Sequence, residues 1–125
     1  MKIGLDFHGV IDSSPELFRV LTRLLLYDDK EDNQVHIITG LSKKDADKKK
    51  EYKGILYTHF YSITDDLEQR GKKTGIDSYG RPCFDKKDWD MAKAIYCKEH
   101  KIDLMIDDTE RYKKYFETPF ILWKK

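Results

Sequence analysis

Glycine clusters, paired cysteines, long apolar runs and net charge are all in short supply here, and each shortage closes off a class of function. The seven glycines form no phosphate-cradling fingerprint after the first apolar run, which disfavours a dinucleotide-binding domain. The two cysteines, Cys83 and Cys97, show no metal-ligand spacing, and no secretory apolar segment precedes them, so the expectation is reduced thiols in a cytoplasmic protein. The longest apolar stretch, around Val20 to Tyr27, is interrupted by Thr22 and Arg23 and is too short to span a bilayer. A formal charge of +1 gives no global basic field to announce a nucleic-acid partner. Lysine is dense only locally, as in Lys48-Lys49-Lys50.

What the sequence does contain is enough for one folded domain, residues 1–125, with a real core and a very polar surface. Hydrophobic residues make up 39%, aromatic residues 13% and charged residues 38%. There is no repeat, linker or second domain. The run Ile3-Gly4-Leu5 ends in Asp6, and the run Ile102 to Ile106 ends in the pair Asp107-Asp108. An acid at the tip of a buried strand is costly to desolvate unless a cation or phosphate chemistry uses it. Two such acids, distant in sequence, suggest adjacent parallel strands whose carboxyl ends share one site. Between them lie Val35 to Gly40, a strand ending in the Thr39 hydroxyl, and the lysine pair Lys86-Lys87.

Strands and helices alternate along the chain. Lys2 to Phe7 is apolar without alternation, as in a central parallel strand covered on both faces. Ser13-Ser14-Pro15-Glu16 starts a helix whose buried stripe reads as Leu17, Phe18, Leu21, Leu24 and Leu25. Asp32-Asn33 makes the turn into a second strand, Val35 to Thr39. Ser42 to Asp45 resembles a capping box opening a solvated, lysine-rich helix to Lys53. Residues 55–63 read as a third strand, with Asp65-Asp66 as a turn, and 71–84 as a long loop. Asp88 can cap a helix to about His100, with Trp89, Ala92, Ile95 and Tyr96 facing inward. A strand from Leu104 to Ile106, a short helix around Arg111 to Phe116 and a last strand, Phe120 to Trp123, follow. Five strands with crossover helices imply an α/β fold with three layers around a mainly parallel sheet.

With Asp6-Phe7-His8-Gly9-Val10, Ile37-Ile38-Thr39-Gly40, Lys86-Lys87 and Ile106-Asp107-Asp108 in that order, the chain resembles the haloacid dehalogenase-like hydrolase superfamily. The resemblance covers nearly the whole chain and implies a Rossmann-like sheet of order 5-4-1-2-3. It also implies a short flap over Gly9 to Ser14 and no cap domain, since neither usual insertion point has room for one. It implies that Asp6 attacks phosphorus to give an aspartyl-phosphate. Mg²⁺ would be held by Asp6, the His8 carbonyl and Asp107 or Asp108. Thr39, Gly40, Phe7 and Gly9 would contact the substrate, and Lys86 or Lys87 would neutralise the phosphoryl charge. Lys93 is a third, more distant candidate for that lysine.

One position departs from the phosphatase pattern. Where a second aspartate usually serves as acid and base, this chain has His8, which can itself transfer protons near neutral pH. Three function classes follow. The first is a Mg²⁺-dependent phosphohydrolase acting on a phosphomonoester, small or macromolecular. The second is a regulatory relative that keeps the metal and phosphate pocket but has lost turnover, and the third is a metal-dependent nucleic-acid-processing protein. A receiver domain is disfavoured because its acidic pair comes first. An open site of this kind could be covered by a partner or by a second copy, and no membrane partner is expected.

Overall fold

Two apolar faces on one set of short strands force a layer of helices on each side. The structure, a computed structural model, describes residues 1–28 and 32–124. In the main sheet β1 (Lys2–Leu5) is central, flanked by β2 (Gln34–Thr39) and β6 (Leu104–Asp107), with β3 (His59–Ser62) and β7 (Phe120–Leu122) at the edges. All four pairings are parallel. Alternate residues then divide the core. Ile37 and Ile106 face a cluster with Leu5, Val35 and Phe18 of α1 (Pro15–Leu26). Ile38 and Met105 face Tyr96 and Cys97 of α4 (Lys86–Glu99) on the other side. The result is an α/β, three-layer, Rossmann-like fold.

The strand order β7-β6-β1-β2-β3 is 5-4-1-2-3 among the five strands of the main sheet; the labels differ because two unforeseen strands enter the count. The expected loop over 71–84 holds an antiparallel hairpin, β4 (Lys73–Ile76) and β5 (Pro82–Phe84). Asp77 tightens its turn by accepting the Tyr79 and Arg81 N–H groups, each at 2.9 Å. The third strand is shorter than 55–63. Ser62 accepts the Asp65 N–H at 3.0 Å, so the chain turns at once into α3 (Ile63–Gln69), with Asp65 and Asp66 in its first turn.

Helix boundaries shift for similar reasons. Ser42 does cap α2, but α2 is only Lys43–Ala46, followed by a separate 3₁₀ turn at Lys50–Tyr52. Asp85, not Asp88, caps α4, accepting from the Lys87 and Asp88 N–H groups. The helix therefore starts early and places Lys86 and Lys87 in its first turn. Ile95 points outward. On α1, Phe18, Leu21 and Leu25 do face the core, whereas Leu17 and Leu24 are exposed. Ser14 makes no side-chain cap bond there; Pro15 at the first position starts the helix. Cys83 and Cys97 are both free thiols.

Candidate active site

The carboxyl ends of β1, β2 and β6 meet at one edge of the sheet. Leu5 pairs with Ile37 on one side and Ile106 on the other, so Asp6, Thr39 and Asp107 come together one or two residues later. The Asp6 N–H still donates to the Ile106 carbonyl at 3.0 Å, which fixes the chain as it enters the site. Asp6 is buried, and Asp107 is fully buried. Carboxylate oxygens of Asp6, Asp107 and Asp108 all lie within 4.8 Å of one another.

The positive charge among them comes from Lys93. Its ammonium stands 2.9 Å from Asp6 Oδ1 and donates to Asp107 Oδ2 at 2.7 Å, with only 4% of the side chain exposed. Lys86 and Lys87, expected in this role, are solvent-exposed and contribute nothing to the cavity. Asp85 starts α4 at Lys86, so these lysines stand two turns or nearly two turns before Lys93, about 10 Å along the helix axis. The sequence offers Lys93 only as a third candidate for this role. The stronger signal is the face Asp90, Lys93, Ala94 and Cys97, which is buried throughout and so cannot be a solvated stripe.

Burial pushes the Asp6 carboxyl up to about 7; Lys93 opposes this, and Asp107 and Asp108 add to it. For Lys93, burial alone would lower the ammonium, but Asp6 and Asp107 outweigh it and the net direction is upward. Three carboxylates beside one ammonium carry a formal charge of −2. Each oxygen's partner matters here. Asp6 Oδ1 accepts the Phe7 N–H at 2.9 Å, and Asp107 Oδ1 accepts the Thr109 N–H at 2.9 Å. Asp6 Oδ2 takes no hydrogen bond from the described residues. An all-oxygen donor set with excess negative charge fits a hard cation such as Mg²⁺ better than a softer metal.

Around the cluster opens a cavity of about 850 Å³. Asp6, His8, Thr39, Gly40, Lys93 and Asp108 line it, as do Lys44 and Lys48. The hairpin contributes Asp77, Gly80, Arg81 and Pro82, so this segment borders the site where no cap domain does. Thr39 Oγ1 accepts the Leu41 N–H at 3.2 Å, which leaves its own hydrogen for a ligand. Gly40 must be glycine because a Cβ there would come within 2.7 Å of the Trp89 ring. Trp89, read from sequence as core, reaches the cavity and donates to the Tyr112 hydroxyl at 3.0 Å.

Phe7 and Gly9, expected to contact the substrate, do not line the cavity. The Phe7 side chain is buried and stacks on Tyr52 at 4.7 Å. Gly9 sits at φ 85°, and a Cβ on it would overlap the Asp108 carboxylate, so its part is to make room for that acid. His8 is the exposed member, with 85% of its side chain open. Its Nδ1 lies 2.9 Å from Asp12 Oδ2, while Asp12 Oδ1 accepts the Gly9 N–H at 2.6 Å. Asp12 was not singled out from sequence, and the backbone that brings it to His8 is non-helical at His8 and Gly9. No family model, no curated protein and no solved structure matches this chain.

Proposed function

We propose that the chain is a Mg²⁺-dependent phosphohydrolase of the haloacid dehalogenase-like kind, acting on a phosphomonoester through an aspartyl-phosphate on Asp6. The observation that carries this reading is the buried ammonium of Lys93 clamped between Asp6 and Asp107 on the lining of an open polar cavity. A structural ion pair would pair its charges evenly. Here two negative charges are left over and one Asp6 oxygen faces no donor.

The roles follow from the contacts. Phe7 N–H and Lys93 occupy Asp6 Oδ1, so Oδ2 is the oxygen that attacks phosphorus, forming the new P–O bond as the ester P–O bond breaks. Thr39 donates its free hydroxyl hydrogen to a phosphoryl oxygen, and the Gly40 N–H adds a second donor. Lys93 holds Asp6 in place and offsets phosphoryl charge. His8 gives the departing alkoxide its proton, and water then cleaves the aspartyl-phosphate, restoring the carboxylate and releasing inorganic phosphate. Mg²⁺, held by Asp6, Asp108 and the His8 carbonyl, with Asp107 behind them, would supply charge neutralisation and in-line orientation. The test is phosphate release from simple monoesters with Mg²⁺, compared between wild type and Asp6→Asn. Turnover that survives Asp6→Asn would sink the covalent reading.

A further inference from the structure

We infer that Asp12 is a positioning residue that fixes the tautomer and direction of His8, giving His8 the proton-donor role; the inference rests on the phosphohydrolase reading. Isolated surface histidine–carboxylate pairs are common and contribute little. This one differs because its carboxylate is not free to wander. Asp12 Oδ1 is tied at 2.6 Å to the Gly9 N–H, and the Asp12 N–H donates to the Phe7 carbonyl at 3.1 Å. The turn beneath is anchored by buried Phe7, Val10 and Ile11 and by Ser13, whose hydroxyl donates to the Val10 carbonyl at 2.7 Å and accepts from Trp123 Nε1 at 3.0 Å. A fixed acceptor, Asp12 Oδ2, therefore faces Nδ1 of an otherwise solvent-open imidazole at 2.9 Å.

The chemistry follows from which nitrogen carries hydrogen, and that is set by what the other nitrogen meets. With the Asp12 carboxylate as its acceptor, Nδ1 carries hydrogen, and Nε2 is left without that partner on a residue that lines the cavity. When the protonated ring gives its Nε2 hydrogen to the leaving oxygen, the neutral product is the Nδ1–H form, which Asp12 stabilises. The proton ends on the alcohol, and no further reactant is needed. A carboxylate behind a histidine thus does for this chain what a second aspartate would otherwise do alone. Buttressing of this kind also accounts for a histidine that is open to solvent yet not adrift.

Asp12→Asn separates positioning from mere turn-holding. The amide oxygen can still accept the Gly9 N–H, while the amide NH₂ now faces Nδ1 and pushes hydrogen to Nε2. In ¹⁵N-histidine NMR of the full chain, wild-type His8 should show hydrogen on Nδ1, and Asp12→Asn should show it on Nε2. In Mg²⁺ assays, the ratio of alkyl-phosphate to p-nitrophenyl-phosphate turnover should fall at least about 100-fold in Asp12→Asn and equally in His8→Ala. In the double variant it should fall no further. His8 is exposed, so His8→Ala keeps the comparison open if Asp12→Asn folds poorly. An unchanged tautomer, an unchanged ratio in Asp12→Asn, or a further drop when Asp12→Asn is added to His8→Ala would overturn the inference alone. A wild type silent on both esters would instead remove the phosphohydrolase reading beneath it.

Discussion

Two buried polar clusters lie on the same sheet and are built on opposite plans. At the carboxyl edge, Asp6, Asp107 and Lys93 carry more charge than their neighbours cancel. Nearer the amino ends, His36 is also buried, but both ring nitrogens are bonded, to the Tyr96 hydroxyl at 2.7 Å and to Gln34 at 2.8 Å. It stacks on His59 at 4.2 Å, and burial, followed by the neighbouring His59 and His100, lowers it to about 4, so it stays neutral. Burial thus pushes both groups toward their uncharged forms. One cluster accepts that outcome and is complete. The other holds an acid that burial disfavours, the pattern on which the proposed ligand site rests.

The largest effect expected from this contrast is on Lys93. Lys93→Met leaves two carboxylates without their cation, and chemical denaturation should show a loss of about 3–5 kcal/mol. Adding Asp6→Asn should recover part of it. Full stability in Lys93→Met would mean the carboxylates are already neutral.

Next come two slopes of opposite sign in one pH window. His36 has a depressed folded value, so its contribution is present above its unfolded value of 6.5 and lost as pH falls toward about 4. Asp6 has a raised folded value, so its contribution is present below its unfolded value of 3.8 and lost as pH rises toward about 7. Each is worth about 1.4 kcal/mol per pH unit inside its window. In chelator, Asp6→Asn should make stability climb with pH between 4 and 7, and His36→Gln should make it fall. Parallel profiles in the two variants would break the comparison.

A smaller effect attends the cation. Mg²⁺ at about 100 times its dissociation constant should stabilise the wild type by roughly 2.7 kcal/mol, read as a rise in Tm. The rise should be much smaller in Asp108→Asn, and equal rises would take Asp108 out of the site. Smallest of all, Lys86→Ala and Lys87→Ala should each shift stability by less than about 0.5 kcal/mol, as exposed positions do.

The acids and the hydroxyl were legible because each ends an apolar strand, where a polar side chain has no structural excuse. Asp6, Thr39 and Asp107 announced themselves in that way. Lys93 did not, since a lysine within a charged helix reads as solvated unless Asp90, Ala94 and Cys97 are noticed on its face. The hairpin was hidden for another reason. The residues of β4 are all exposed, so no apolar alternation marks a strand among the Gly and Pro turn signals. The run of β-formers through Ile63 concealed the Ser62 cap that starts α3. His8 stood out as a departure, but its tie to Asp12 depends on a turn bent at Gly9, which residue spacing does not specify.

The most direct measurement is a crystal structure of the chain grown with Mg²⁺ and beryllium fluoride, a mimic of a phosphorylated carboxylate. The account predicts beryllium on Asp6 Oδ2, with Thr39 and Lys93 in contact with the fluorides. A fluoride complex seated elsewhere in the cavity, or contacted by Lys86 or Lys87 in place of Lys93, would contradict it.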